Sequence, residues 1–271
     1  KMKILKIIVS IFLIINFSQT VFSKELNIYS HRQPYLLKPF LDAYTKKTNI
    51  KLNVVYASKG LAQRLASEGK NTPADLILTV DIGRLYIYKD KNLLAKIQSN
   101  ILNKNIPKHL RSDDGTWFGL SKRSRVIAVS KSSVKKGSIK RYEDLSKPIW
   151  KGKVCSRPGS HVYNRALMAS LIAEHGYDKA LKWAKGFVKN LAKRPQGNDR
   201  SQIKSIFSGE CEVVIINHYY YGKLTYSKEK EHKEWAKSAR IIFPNQEEGD
   251  RGAHINISGG GVVKHSKRKA E

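Results

Sequence analysis

The sequence predicts an α/β fold in which short buried strands alternate with helices. Two observations support this prediction. Apolar runs rich in β-branched residues recur along the chain, and the segments between them carry apolar residues at helical spacing. With 271 residues and 41% hydrophobic content, the chain is long enough for one large domain or for two lobes with separate cores.

The first half contains three predicted strand–helix units. The first helix is typical, because Leu37, Phe40, Leu41 and Tyr44 recur at helical spacing. In chain order, the units pair strand 26–30 with helix 36–48, strand 50–57 with helix 59–69, and strand 74–80 with helix 82–94.

The second half continues the same alternation. Its predicted strands are 127–132, 152–156 and 211–217, and its predicted helices are 162–175, 177–192 and 199–208. Two further apolar segments, 124–130 and 254–263, are interpreted as strands that each cross between two lobes.

Residues 1–23 have the features of a cleavable export signal. Three lysines precede the apolar run 7–17, and Val21 and Ser23 suit the small-residue positions before a cleavage site. A membrane anchor is the alternative, but this run is shorter than the about 20 residues that span a bilayer. We therefore expect export to the periplasm and removal of the segment.

The formal net charge of +29 is the strongest compositional signal. The basic residues are scattered along the apparent helices rather than gathered in one block, which is typical of a solvated surface. Export also argues against a nucleic acid as the partner. An exported protein that binds polyanions through this surface stays an alternative.

No enzyme motif is present. The chain lacks the G-x-S-x-G turn, the phosphate-binding Walker loop, H-E-x-x-H and C-x-x-C. Its histidines are scattered, and no pair has metal-ligand spacing on one helix. We expect no catalytic residue and no enzymatic activity.

The two cysteines, Cys155 and Cys211, border segments that read as short strands of one sheet. An even number of cysteines in an oxidising compartment favours a disulfide. Two buried thiols are the alternative, which spacing alone does not decide.

Three consecutive tyrosines, Tyr219, Tyr220 and Tyr221, follow the strand predicted at 211–217. A buried strand needs no phenol oxygens at its end, and ligand crevices in open α/β sheets lie at the carboxyl ends of strands. Taken alone, an aromatic triplet after a strand is more typical of packing in a core or an interface.

Six motifs together carry a family resemblance: "LNIYSHRQPYLLKPF", "PADLILTVD", "WFGLSKRSRVI", "GSHVYNRAL", "INHYYYGKL" and "GDRGAHINISGGGVV". With them the chain resembles the periplasmic ferric-iron-binding proteins, the substrate-binding components of iron ABC transporters. The resemblance implies a two-lobed periplasmic binding protein of type II, with the lobes joined by crossing strands and the ligand in the cleft. It also implies a monomer that delivers iron to an inner-membrane ABC permease.

The resemblance implies three ligands for Fe³⁺: Tyr163, Tyr219 and Tyr220, whereas Tyr221 only packs. A small, hard cation favours anionic oxygen donors, and three phenolates neutralise its charge. Adjacent residues of a strand point to opposite faces. The backbone must therefore turn at the end of the strand for Tyr219 and Tyr220 to reach one ion.

The first loop departs from one branch of the family. Gln33 and Pro34 stand where other members place a histidine and a tyrosine, so we expect no strong protein ligand from the first lobe. The resemblance implies that a small synergistic anion such as carbonate fills the open positions, with Arg32, Gln33 and Arg123 as its donors. For Arg123 a plain surface charge is the alternative.

The resemblance also implies domain boundaries. The first lobe covers 24–124 and is completed by about 258–271, and the second lobe covers 125–257. Family members continue with further C-terminal helices, which we expect to be missing here. A binding protein of the same architecture for a small anion or an organic ligand, with the tyrosines as an aromatic box, stays the second functional hypothesis.

Overall fold

The computed structural model describes residues 24–269, so the predicted signal peptide at 1–23 lies outside the described residues. The strands are β1 (Glu25–Ser30), β2 (Lys51–Tyr56), β3 (Leu76–Thr79), β4 (Phe118–Ser130), β5 (Val154–Cys155), β6 (Val213–Asn217), β7 (Ala239–Ile242) and β8 (Ile255–Val262). The helices are α1 (Pro34–Thr48), α2 (Leu61–Glu68), α3 (Ile82–Asp90), α4 (Asn100–Asn105), α5 (Val162–His175), α6 (Tyr177–Lys189), α7 (Asp199–Phe207), α8 (His218–Thr225) and α9 (Lys230–Ser238).

The strands follow the order β2-β1-β3-β8-β4-β6-β5, and β7 also pairs with β4. Strand β4 changes partner along its length. Up to Ser124 it pairs with β8, and from Arg125 onward it pairs with β6 and β7. The long strand β4 therefore runs through both halves of the molecule, as the predicted crossing segment requires.

Two halves of the molecule have separate apolar cores. The first core gathers residues of β1, β3 and the helices around them, including Tyr29, Leu61 and Ile77. In the second half, apolar clusters cover both faces of β4 and β6, because successive strand residues alternate between faces. Ile127 and Ile215 belong to one cluster and Ala128 and Val214 to the other. The predicted α/β fold with two lobes is confirmed.

The glycine run of β8 has a packing reason. A Cβ atom on Gly260 would lie 2.5 Å from the carbonyl oxygen of Ile77, and one on Gly261 would lie 2.5 Å from that of Thr116. No larger residue fits at this spacing. The run therefore lets β8 lie close between β3 and β4, where the lobes join.

Several elements differ from the predictions. Strand β4 begins at Phe118, well before the predicted crossing segment 124–130, because its first part, which pairs with β8, carries exposed polar residues instead of an apolar run. Helices α4, α8 and α9 and strand β7 were not predicted. Helix 162–175 is confirmed with its bounds, and the neighbouring helices end at Lys189 and Phe207.

None of the helices within 24–269 combines the length and the apolar character needed to span a bilayer.

The predicted disulfide is present. Strands β5 and β6 pair in parallel, which brings Cys155 and Cys211 to a Cα–Cα distance of 5.9 Å. Both side chains are buried in the second lobe beside Val214 and Ile203. The alternative of two free thiols is wrong.

Reducing this disulfide is expected to lower the free energy of unfolding by about 4 kcal/mol, because the bond closes a loop of 56 residues in the unfolded chain. Denaturant titration with and without reductant measures the difference. The Cys155→Ser, Cys211→Ser double variant should match the reduced parent. Two reactive thiols in denatured, unreduced protein from the periplasm would contradict the prediction.

Candidate metal centre

Tyr163 lies in the first turn of α5. The helix starts here because His161 acts as its N-cap, with Nδ1 accepting a hydrogen bond from the Tyr163 backbone N–H at 3.2 Å. Burial, together with the charge of Arg157, lowers the pKa of His161 to about 4. The imidazole is therefore neutral near pH 7 and keeps the lone pair that the cap needs.

Tyr219 and Tyr220 lie in the first turn of α8. Strand β6 ends at Asn217 and the helix begins at the next residue, His218, so the required change of direction is a helix start. Consecutive helical residues are rotated by about 100° rather than to opposite faces. The two rings consequently lie side by side, with their centroids 4.4 Å apart.

The phenol hydroxyls of the two helix starts converge. The Tyr163 and Tyr219 oxygens are 3.4 Å apart, although the residues are 56 positions apart in the sequence. Tyr220 is near enough to Tyr163 and Tyr219 for both to affect the pKa of its hydroxyl. Metal–oxygen bonds of about 2 Å allow two oxygens on one ion to be at most roughly 4 Å apart. The observed spacing suits a shared cation.

All three phenols hold their protons tightly. Burial raises the pKa of Tyr163 to about 12, and the neighbouring Tyr219 adds to the shift. Partial burial is also the largest cause of the raised pKa of Tyr219 and of Tyr220, followed by the charge of a neighbouring phenolate. Near pH 7 the ligand-free site therefore carries three neutral phenols.

Tyr221 has the packing role that was predicted for it. Its ring packs against the buried cluster that contains Leu224 and Trp235, and its hydroxyl donates to the Ala239 carbonyl oxygen at 3.2 Å. It points away from the converging hydroxyls and serves as an internal control for them.

Three guanidinium groups surround the Tyr163 ring. The Cζ atoms of Arg123 and Arg157 are each 5.0 Å from the ring centroid, and that of Arg125 is 5.7 Å from it. Two buried carboxylates pair with these arginines. Asp81 accepts from Arg123 at 3.1 Å, and Asp199 accepts from Arg125 at 2.7 Å and from Arg157 at 3.1 Å.

The residues predicted to hold an anion do not all meet. Arg123 is only 8% exposed, so its alternative interpretation as a surface charge is wrong. Arg32 donates to Ser258 Oγ on β8 at 2.7 Å. Gln33 is exposed at the N-cap of α1. Within residues 24–269, neither Arg32 nor Gln33 forms a hydrogen bond with the three tyrosines.

The first loop contains no obvious ligand. His31 is buried and contacts the Ala57 carbonyl oxygen and the Tyr88 hydroxyl, and Tyr35 is 68% exposed. The described part of the chain also contains no group of three or more His, Cys, Asp or Glu side chains that could hold a metal ion. The converging tyrosines are therefore the strongest candidate centre.

Sequence reasoning missed Arg125, Arg157 and Asp199. One signal was available, because Arg125 directly precedes the apolar run Val126–Val129 in a strand that reads as buried. A charge in such a place requires a partner. The partner, Asp199, is 74 residues away, and no local pattern identifies it.

The chain is similar to known bacterial proteins. The family model described as bacterial extracellular solute-binding protein matches residues 71–269. The chain belongs to this family. Among its relatives, iron uptake protein A1 of Synechocystis is 44% identical over 242 residues, which cover 89% of this chain and 67% of that protein.

Solved structures agree with this assignment. The ferric iron-binding protein A of Mannheimia haemolytica, in an open conformation, has 46% identity and a TM-score of 0.82, covering 91% of this chain and 77% of that one. A Trichodesmium protein in complex with iron and citrate ligands has 43% identity and a TM-score of 0.85, covering 91% and 78%. The resemblance to periplasmic ferric-iron-binding proteins is confirmed, and this solute-binding protein is not an enzyme.

Proposed function

We propose that this solute-binding protein captures ferric iron in the periplasm through the phenolate oxygens of Tyr163, Tyr219 and Tyr220 and delivers it to an ABC importer. The observation that carries the proposal is the convergence of the hydroxyls from two helix starts, with Tyr163 and Tyr219 3.4 Å apart. The names of its relatives, iron uptake protein and ferric iron-binding protein, support the same cargo.

The donor set favours Fe³⁺ over softer or larger cations. Phenolate is an anionic, hard oxygen ligand, and the three tyrosines supply oxygen donors only. Three phenolates balance the 3+ charge, so the loaded ligand set is neutral. A divalent ion would leave one negative charge in a partly buried site, which costs free energy.

The surrounding charges support an additional anion. Among residues 24–269, the three arginines near Tyr163 form ion pairs with two carboxylates, Asp81 and Asp199, which leaves an excess of one positive charge in this cluster. An anion bound beside the metal would neutralise it. Arg123 is the best placed donor, and Arg32 is the candidate from the first lobe. Carbonate or another small oxyanion fits this role.

The second functional hypothesis also has an observation in its favour. A cleft of about 940 Å³ lies beside the tyrosines rather than on their hydroxyls, and its lining includes Lys59, Arg84, Arg157 and Arg165. Such a basic cleft could hold an organic anion without iron. Ferric binding is preferred, because an organic ligand gives no reason for three phenol oxygens to meet.

Equilibrium dialysis separates the two functions. The protein is expected to retain one ferric ion per chain against a competing chelator, and to retain Fe²⁺, Zn²⁺ or Ca²⁺ much less. A small anion such as carbonate should be retained only when ferric iron is also present. Binding of an anion at the same strength without iron, together with no retention of ferric iron, would contradict the proposal.

A further inference from the structure

Asp199 occupies an unusual position, because one carboxylate bonds to three segments around the tyrosine site: β4, the loop after β5, and the end of β6. It is the first residue of α7 and is fully buried. Its Oδ2 atom accepts from Arg125 Nη1 at 2.7 Å and from the Asn217 backbone N–H at 2.9 Å. Its Oδ1 atom accepts from Arg157 Nη1 at 3.1 Å.

One connection leads from Asp199 to Tyr219. Asn217 ends β6 and immediately precedes the helix that carries the tyrosine pair. Its backbone is held by Asp199, and its side-chain amide donates to the Tyr219 hydroxyl at 3.3 Å. The carboxylate therefore fixes both the start of α8 and the donor that orients the Tyr219 oxygen.

A second connection leads to Tyr163. Arg125, held by Asp199, uses its Nη2 atom to donate to Asn164 Oδ1 at 2.8 Å. Asn164 is the residue after Tyr163, and its amide also donates to the Arg157 carbonyl oxygen at 3.0 Å. The guanidiniums of Arg125 and Arg157 lie against the Tyr163 ring. Asp199 is thus linked to α5 through Arg125 and Asn164, and to α8 through Asn217.

We propose that Asp199 is a positioning residue that holds the Tyr163 and Tyr219 hydroxyls at the spacing that one metal ion needs. This inference rests on the proposed function. We do not assign Asp199 as a ligand, because it is fully buried and its two oxygens accept hydrogen bonds from the positively charged Arg125 and Arg157. Groups that orient metal ligands through hydrogen bonds typically change metal affinity by about 10- to 100-fold when they are replaced.

The decisive variant is Asp199→Asn. The substitution keeps the shape of the side chain but replaces one of the two acceptor oxygens with an NH₂ group. This NH₂ group must then face an N–H donor and cannot accept its hydrogen bond. We expect ferric affinity to fall by about 10- to 100-fold. The visible phenolate-to-iron absorption band should weaken or shift, because one phenol no longer reaches the ion. In the iron-free protein, the amide of Asn217 should lose its protection from hydrogen exchange.

Asp75→Asn is the matched control. Asp75 is also buried and arginine-paired, and it accepts a backbone N–H from Asn27 at 2.8 Å, but it lies in the first lobe beside Ser266 and Arg268. This variant should keep the ferric affinity, the band and the protection of Asn217. It therefore separates positioning of the tyrosines from the general loss of a buried carboxylate.

Asp199→Asn leaves two buried arginines without a counter-ion, so a second variant guards against failure to fold. Asp199→Ala combined with Arg157→Gln keeps the net charge of the cluster, and Arg157→Gln alone is its reference. The double variant should bind ferric iron about 10- to 100-fold more weakly than this reference.

Parent-like affinity, band and Asn217 protection in a folded Asp199 variant would overturn the inference. Absence of a phenolate band in the parent would instead refute the proposed function, and hydrogen exchange at Asn217 would still decide whether Asp199 positions the site.

Discussion

Tyr219→Phe and Tyr220→Phe are each expected to weaken ferric binding by more than about a hundredfold, which is the upper range for groups that merely support metal ligands. Each substitution removes one anionic oxygen and keeps the ring, so the contact between the two tilted rings, with centroids 4.4 Å apart, survives. Tyr163→Phe should have the same effect and also keep the contacts of the ring with its three arginines. Competition with a chelator measures the affinity, and the phenolate-to-iron band should weaken or shift in parallel.

Tyr221→Phe is the control from the same helix. Its hydroxyl bonds only the Ala239 carbonyl oxygen among the described residues, so the variant should lose at most a little stability and no iron. If Tyr219→Phe and Tyr220→Phe bound ferric iron like the parent, with an unaltered band, the phenolate site would be wrong. The aromatic box for an organic ligand would then become the better explanation.

Acidification is expected to release the iron while the protein stays folded. The pKa of Tyr163 is raised to about 12 and those of Tyr219 and Tyr220 are also raised, so all three phenols are protonated before loading. Ferric binding must displace roughly three protons, and the apparent affinity should fall by up to about a thousandfold for each pH unit of acidification. The apparent ferric affinity must fall on acidification, because protons compete with the metal for the same oxygens.

The pH range in which acid lowers the stability depends on paired carboxylates and on buried histidines. Hydrogen bonds from Arg141 lower the pKa of Asp250, and a hydrogen bond from Lys140 lowers that of Glu247. Carboxylates with lowered pKa values contribute stability above their unfolded pKa values, near 4, and lose it only as the pH falls through the folded values. The pKa values of the partly buried His161 and His254 are lowered to about 4, so both stay neutral in the folded protein but reduce its stability as the pH falls below the usual histidine value of 6.5. We expect the visible band to disappear before the circular dichroism signal of the folded protein is lost when both are recorded in one acid titration.

A pH-stat titration measures the displaced protons directly. The parent and Tyr221→Phe should each release about three protons per ferric ion bound, after correction for hydrolysis of the added iron, and any residual binding by Tyr163→Phe should release about two. Release of fewer than one proton by the parent would contradict phenolate ligation, since neutral phenols would then be the donors.

The regular elements were predictable where local pattern and buried environment agree. Helix α5 has its predicted bounds, because His161 caps its start and Gly176, with φ +79°, ends it. Strand β6 was also evident from its β-branched run. The first part of β4 was not predictable, since Leu120, Ser121 and Lys122 are exposed and this stretch shows no apolar run.

Helix α8 was missed for a different reason. Tyrosine and histidine are modest helix formers and tyrosine is common in strands, so "HYYYG" looks like the continuation of the preceding strand. Tertiary contacts override this preference, because Leu224 and Tyr221 bury their side chains against the second-lobe core. The sequence analysis required a turn after Asn217, and the helix start supplies it.

The ligand candidates came from family motifs, whereas the supporting network could not have come from the sequence. Asp199 contacts Arg125 across 74 positions, Arg157 across 42 and Asn217 across 18. Such pairings depend on how β4, β5 and β6 order themselves in the sheet. Local spacing carries no information about that order.

Absorbance titration of the parent protein with ferric iron, supplied as a weak chelate, tests the central claim most directly. Three tyrosinate ligands predict a visible phenolate-to-iron charge-transfer band that grows linearly and saturates at one ferric ion per chain. Tight binding of ferric iron without such a band, or a protein that stays colourless and unliganded, would contradict the account.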